Sequence, residues 1–168
     1  MNLQDIVNAE DYRETLQLVS FKLGDEEFGV NILQVQEINR LIQITKVPNA
    51  PDFVEGVMNL RGKIVPVINL RKRLGLGEKE HDKNTRIIVV ELNDKTVGFI
   101  VDSVSEVLRV SKNVVEPPPE LICGIDSEYI TGIVKLDDRL MILLDLEKIL
   151  TIEEKESLKE VYSLTNES

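Results

Sequence analysis

The sequence predicts an all-β protein: two small five-stranded β-barrels from an internal duplication, with short helices and a C-terminal helix. Three observations carry this. First, Gly56-Val-Met-Asn-Leu-Arg-Gly-Lys-Ile-Val-Pro-Val-Ile-Asn-Leu70 is echoed by Gly132-Ile-Val-Lys-Leu-Asp-Asp-Arg-Leu-Met-Ile-Leu-Leu-Asp-Leu146. Leu23–Gly29 and Val35–Ile38 are likewise paralleled by Leu92–Gly98 and Val104–Val107. The spacing exceeds the ~20–50 residues of a stacked solenoid, so one small fold occurs twice. Second, 42% of the 168 residues are hydrophobic but only 4% are aromatic, so the core is Val, Ile and Leu, which favour sheet. Third, apolar residues alternate with polar ones over short stretches bounded by turn residues.

The elements follow in order. Residues 1–15 are polar and acidic and form an N-terminal arm. Val19, Phe21 and Leu23 alternate with Ser20 and Lys22 as in a half-buried strand; Gly24-Asp25 turns, and Phe28–Val30 returns. Val35–Ile38 is a further short strand, and Pro48-Asn-Ala-Pro51 a connector that proline keeps out of helix and central sheet. Arg61-Gly62 occupies a hairpin turn before the apolar run Ile64–Leu70, which ends in a helical turn, Arg71–Leu74. The second copy repeats the plan. Ile88, Val90 and Leu92 alternate, Asn93-Asp94 turns, and Val97–Val101 and Val104–Val107 are strands. Pro117-Pro-Pro119 connects, Asp137-Asp138 turns, and Leu140–Leu146 leads to a helical turn, Glu147–Leu150. Both apolar runs should be buried on two faces. About five strands per copy is the count for a small closed barrel. The first barrel is expected over 16–80 and the second over 81–150. They should pack together, because domains this small bury too little surface alone. The helix formers of 151–168 make a terminal helix or tail.

Charge and composition narrow the function. A formal charge of -10 opposes a nucleic-acid binder that neutralises phosphates, and scarce aromatics leave few stacking platforms. No apolar run approaches the ~20 residues of a membrane span, so no membrane insertion is expected. Cys123 is the one cysteine, which excludes an intrachain disulfide and a thiolate metal cluster. His81, the one histidine, sits in a charged stretch and reads as a solvated loop residue. No nucleophile elbow, zinc-helix motif, Walker loop or dinucleotide fingerprint is present, so no enzyme, cofactor or metal is expected. Gly75-Leu-Gly77 closes a helical turn, and Asp25, Glu26 and Glu27 read as a solvated hairpin tip.

Two local features stand out. Between Glu55 and Glu78 there is no acidic residue, yet Arg61, Lys63, Arg71, Lys72 and Arg73 fall there. For Arg71, Lys72 and Arg73 a solvated face with stems lying over apolar surface is favoured. Arg61 differs, because a tight turn can present its planar fork for a directional, bidentate contact. The segment Arg40–Val47 carries Leu41, Ile42, Ile44 and Val47; it reads equally as a buried strand or as an apolar rim that docks a partner.

Phe21–Val30, Val35–Ile38, Asn59-Leu-Arg-Gly62 and Ile64–Arg71 resemble the CheW family of bacterial chemotaxis coupling proteins over about residues 16–150. The resemblance implies two intertwined SH3-like barrels and a scaffold without enzymatic activity. It implies two partners, the chemoreceptor cytoplasmic tip and the regulatory domain of the histidine kinase CheA. The receptor-binding residues would be Val35, Glu37, Ile38 and Arg61; the kinase-binding residues would be Leu41, Ile42, Ile44 and Thr45. The protein would be a cytoplasmic monomer when free and would be recruited to membrane-associated receptor arrays. Its length leaves no room for an appended receiver domain or a kinase ATP-binding domain. Alternatives are a freestanding relative of the kinase regulatory domain and, more remotely, a small nucleic-acid-binding barrel.

Overall fold

The structure, a computed structural model, describes residues 15–92, 94–119 and 128–150. Most of the expected N-terminal arm, Asn93, Cys123 and the expected helix over 151–168 lie outside the described residues.

The alternating segments become strands. In the first copy these are β1 (Thr15–Leu23), β2 (Glu26–Asn31), β3 (Val35–Arg40), β4 (Val54–Leu60) and β5 (Lys63–Asn69), followed by helix α1 (Leu70–Leu74). In the second they are β6 (Arg86–Leu92), β7 (Lys95–Val101), β8 (Ser103–Ser111), β9 (Val115–Glu116), β10 (Ile130–Lys135) and β11 (Leu140–Leu144). Asn69 caps α1 by accepting the Lys72 N–H, and Gly75 ends it at φ 72°, the left-handed cap its position suggested. Asp145 caps the matching 3-10 turn, Leu146–Lys148.

The strands assemble into two sheets that interleave the copies. Sheet one runs β8-β1-β2-β11-β10-β9 and sheet two runs β3-β6-β7-β5-β4. The hairpin β1–β2 of the first copy is flanked by β8 and β11 of the second, and the hairpin β6–β7 by β3 and β5 of the first. Residues 16–80 and 81–150 therefore each supply strands to both sheets.

The chain also joins the ends of each sheet. Leaving β3 at one edge of sheet two, it pairs at Thr45 with Val57 of β4 at the other edge. Leaving β8 at one edge of sheet one, it forms β9, which pairs with β10. Here the doubled glycine has its reason. A Cβ on Gly56 would run into the backbone carbonyl of Thr45, and one on Gly132 would meet Val115 Cγ1 at 2.8 Å and the Glu116 carbonyl at 3.2 Å. Each glycine lets a closing segment cross its sheet.

Burial on two faces explains the near-continuous apolar runs. One core is shared between the sheets and includes Val19, Phe21 and Val30 of sheet one with Ile68, Ile88, Val90 and Phe99 of sheet two. The alternate residues fill a separate cluster within each sheet: Met58, Val65, Val67, Ile87 and Val89 in sheet two, Leu18, Val110, Val134, Met141 and Leu143 in sheet one. Leu140 departs from the expected burial, at 62% exposed.

Candidate functional site

The hairpin β4–β5 turns on two residues, Arg61 and Gly62, both at positive φ (51° and 85°). This backbone matches strand twist in a two-residue hairpin. Asn59 secures it, its Oδ1 accepting the Gly62 N–H at 2.7 Å. The motif Asn59-Leu-Arg-Gly62 is thus a turn that lifts one arginine out of the sheet.

That arginine meets edge strand β3. Arg61 Nη1 and Nη2 donate to the two carboxylate oxygens of Glu37 at 3.1 and 2.6 Å, a bidentate fork. Asn39, two residues on and thus on the same face of β3, donates to Glu37 Oε1 at 2.7 Å. The hydrogen bonds from Arg61 and Asn39 hold the Glu37 carboxyl below its ordinary range, and Glu37 in turn raises Arg61. The arginine side chain is nevertheless 71% exposed.

The other residues named from sequence fall around this pair. A bulge separates Val35 from Glu37, so Val35 lies opposite Val90 and leans on the shared core, while Glu37 lies opposite Val89 on the face of the sheet-two cluster. Ile38 turns to the opposite face, 37% exposed. Leu41, Ile42 and Ile44 are half-buried against the sheet-two cluster, so Arg40–Val47 is neither a deep strand nor a free rim. Beyond Arg40, the last residue of β3, only Thr45 pairs, its side chain exposed and its backbone exchanging two 2.8 Å hydrogen bonds with Val57. An open groove beside it is lined by Leu41, Ile42, Ile44, Lys46, Glu55 and His81.

The rest of the basic stretch is committed internally. Arg71 pairs with Asp102, Lys72 with Glu78, and the Arg73 guanidinium lies 5.9 Å from the centre of the Tyr129 ring. Glu27 corrects the reading of a solvated acidic tip. Asp25 and Glu26 are exposed, but Glu27 points inward and is buried beside Ser20, whose hydroxyl donates to it at 2.5 Å, and beside Arg139. Burial works to raise the Glu27 carboxyl, yet the hydrogen bonds from Arg139 and Ser20 and the charges of Arg139 and Lys22 hold it low.

Arg139 also reveals an echo that the aligned motifs hid. The second hairpin turn is longer, so its arginine comes at the end rather than the start. Arg139 contacts Glu106, the repeat counterpart of Glu37, at 3.4 Å. It also contacts Glu27 and Asp138, and its side chain is 41% exposed. Both copies thus set an arginine against a strand glutamate, but only the first leaves the arginine on a single acid.

Among the described residues, no group of three or more His, Cys, Asp or Glu is placed to hold a metal ion, and no helix is long and apolar enough to cross a membrane. Interleaved sheets with an ion pair displayed on a turn define the class, an all-β chain of two sheets. The comparisons specify the kind. A CheW-like domain model matches residues 17–154. The chain is 44% identical over 138 residues to the chemotaxis protein CheW of Klebsiella aerogenes, covering 82% of this chain and 83% of that one. It is 42% identical to CheW of Helicobacter pylori, covering 84% and 85%. The crystal structure of the scaffolding protein TtCheW from Thermoanaerobacter tengcongensis superposes with a TM-score of 0.76 at 42% identity, over 84% of this chain and 96% of that one. The chain belongs to the CheW family of chemotaxis scaffold proteins.

Proposed function

We propose that this chain is a non-catalytic adaptor that couples chemoreceptors to the histidine kinase CheA. The receptor's cytoplasmic tip docks on Val35, Glu37, Ile38 and Arg61; the kinase regulatory domain docks on Leu41, Ile42, Ile44 and Thr45. The mechanism is geometric. Two partners held on one small scaffold make receptor state felt by the kinase without a bond being made or broken. The free protein is a cytoplasmic monomer that joins receptor arrays through these contacts.

The observation that supports the reading is the asymmetry of the two arginine–glutamate pairs. Arg61 is exposed and opposed by one carboxylate, so it can exchange Glu37 for an acidic group on a partner; Arg139 is held by three acids. Titration of receptor-tip fragments against Arg61→Asp tests it. Binding weaker by about tenfold or more with an unchanged melting temperature is expected, the loss typical of a central charged contact. Wild-type affinity contradicts the assignment.

A further inference from the structure

We propose that the Arg71–Asp102 ion pair is an interlock that fixes how the two sheets sit on one another. Asp102 is the single residue between β7 of sheet two and β8 of sheet one. Its Oδ2 accepts the backbone N–H of Gly24, in the β1–β2 turn of sheet one, at 2.7 Å. Arg71 stands on α1, directly after β5 of sheet two, and donates through Nε to Oδ1 at 2.9 Å and through Nη2 to Oδ2 at 3.0 Å. The remaining Nη1 reaches the carbonyls of Leu76 and Gly77 at 3.2 and 3.4 Å. The Asp102 N–H donates to the Lys22 carbonyl at 3.1 Å. One carboxylate thus gathers a turn of sheet one, the crossing between sheets and the helix of sheet two. The two side chains are 15% and 11% exposed.

The shared core cannot set this placement alone. It is mostly aliphatic, and apolar attraction is non-directional, so its faces tolerate small slips. A fork of converging charged hydrogen bonds has one geometry. A buried ion pair is also a weak source of net stability compared with apolar residues of its size, which leaves specificity as its use here. The other crossing between sheets, from β2 to β3, carries a lighter tie. Gln34 Nε2 donates to Asp145 Oδ1 at 2.7 Å, and Gln34 Oε1 accepts the Leu146 N–H at 3.4 Å. Each crossing is therefore fastened to the turn that follows the last strand of the other copy.

Spin labels at Gln17 on β1 and Glu91 on β6 of the full chain, both exposed, report the distance between sheets. The double variant Arg71→Met/Asp102→Leu removes the tie without leaving a buried charge, so it stays folded. We expect its distance distribution to be about twofold wider than that of the parent. A distribution as narrow as the parent's means packing alone sets the placement, and the interlock is refuted.

Discussion

Arg61 and Gly56 show how much hangs on single backbone positions. Arg61 adopts a left-handed conformation that most residues avoid, and the turn holds it there because Asn59 and Gly62 close the hairpin around it. The Arg-Gly pair in a turn was legible in the sequence. Its partner Glu37 was named only through the family resemblance, because the pair is separated by 24 residues and brought together by sheet curvature. Asn39 escaped notice, although its spacing of two from Glu37 on a strand puts the two on one face. Glu27 was misread for a similar reason. Its neighbours Asp25 and Glu26 are solvent-facing, and Arg139 lies 112 positions away. At Gly56 the constraint is steric. Gly56→Ala should lower stability by about 2–3 kcal/mol, since a methyl forced against the Thr45 carbonyl displaces the closing segment. Thermal unfolding checks this, with an expected loss of roughly 4–12 °C for a chain of this size.

At the scale of elements, the strands were readable and their pairing was not. Period-two alternation located most of them, and the two-faced apolar runs marked β5 and β11. The segment after β3 gave no clear period because it serves two purposes: it half-buries Leu41, Ile42 and Ile44 while its backbone pairs only at Thr45. Ile42→Glu should weaken binding of the kinase regulatory domain by about tenfold, as loss of an apolar anchor does. Calorimetric titration showing wild-type affinity removes this segment from the kinase surface. Buried Glu27 and half-buried Asp102 set an acid limit on the links between elements. Burial opposes ionisation of Asp102, but Arg71, the Gly24 N–H and the charges of Arg71 and Lys79 hold its carboxyl low; Glu27 is held low as described. A depressed carboxylate contributes stability that is complete above the unfolded-state pKa, about 4, and is lost as pH falls through the folded value. Denaturant midpoints should therefore drop below about pH 4, and Asp102→Asn should flatten that drop. An unchanged slope in Asp102→Asn contradicts this.

For the whole molecule, duplication is the organising fact, and its outcome is interleaving rather than two beads on a string. The repeat in the sequence fixes how many similar units there are. It does not say whose strands pair, because β1–β2 presents the same edges to either copy's partners. The shared plan of the two copies builds the sheets, and the turns are where they depart: a two-residue turn with an arginine paired to one acid in the first, a longer turn with an arginine paired to three acids in the second. A scaffold of this kind is useful only if both partners occupy it together. The most direct test is size-exclusion chromatography with light scattering on the chain mixed with a CheA regulatory domain and a receptor-tip fragment. One species containing all three, absent when the chain is omitted and lost with Arg61→Asp, is the predicted result. Elution of the two partners only in separate complexes, each excluding the other, would contradict coupling.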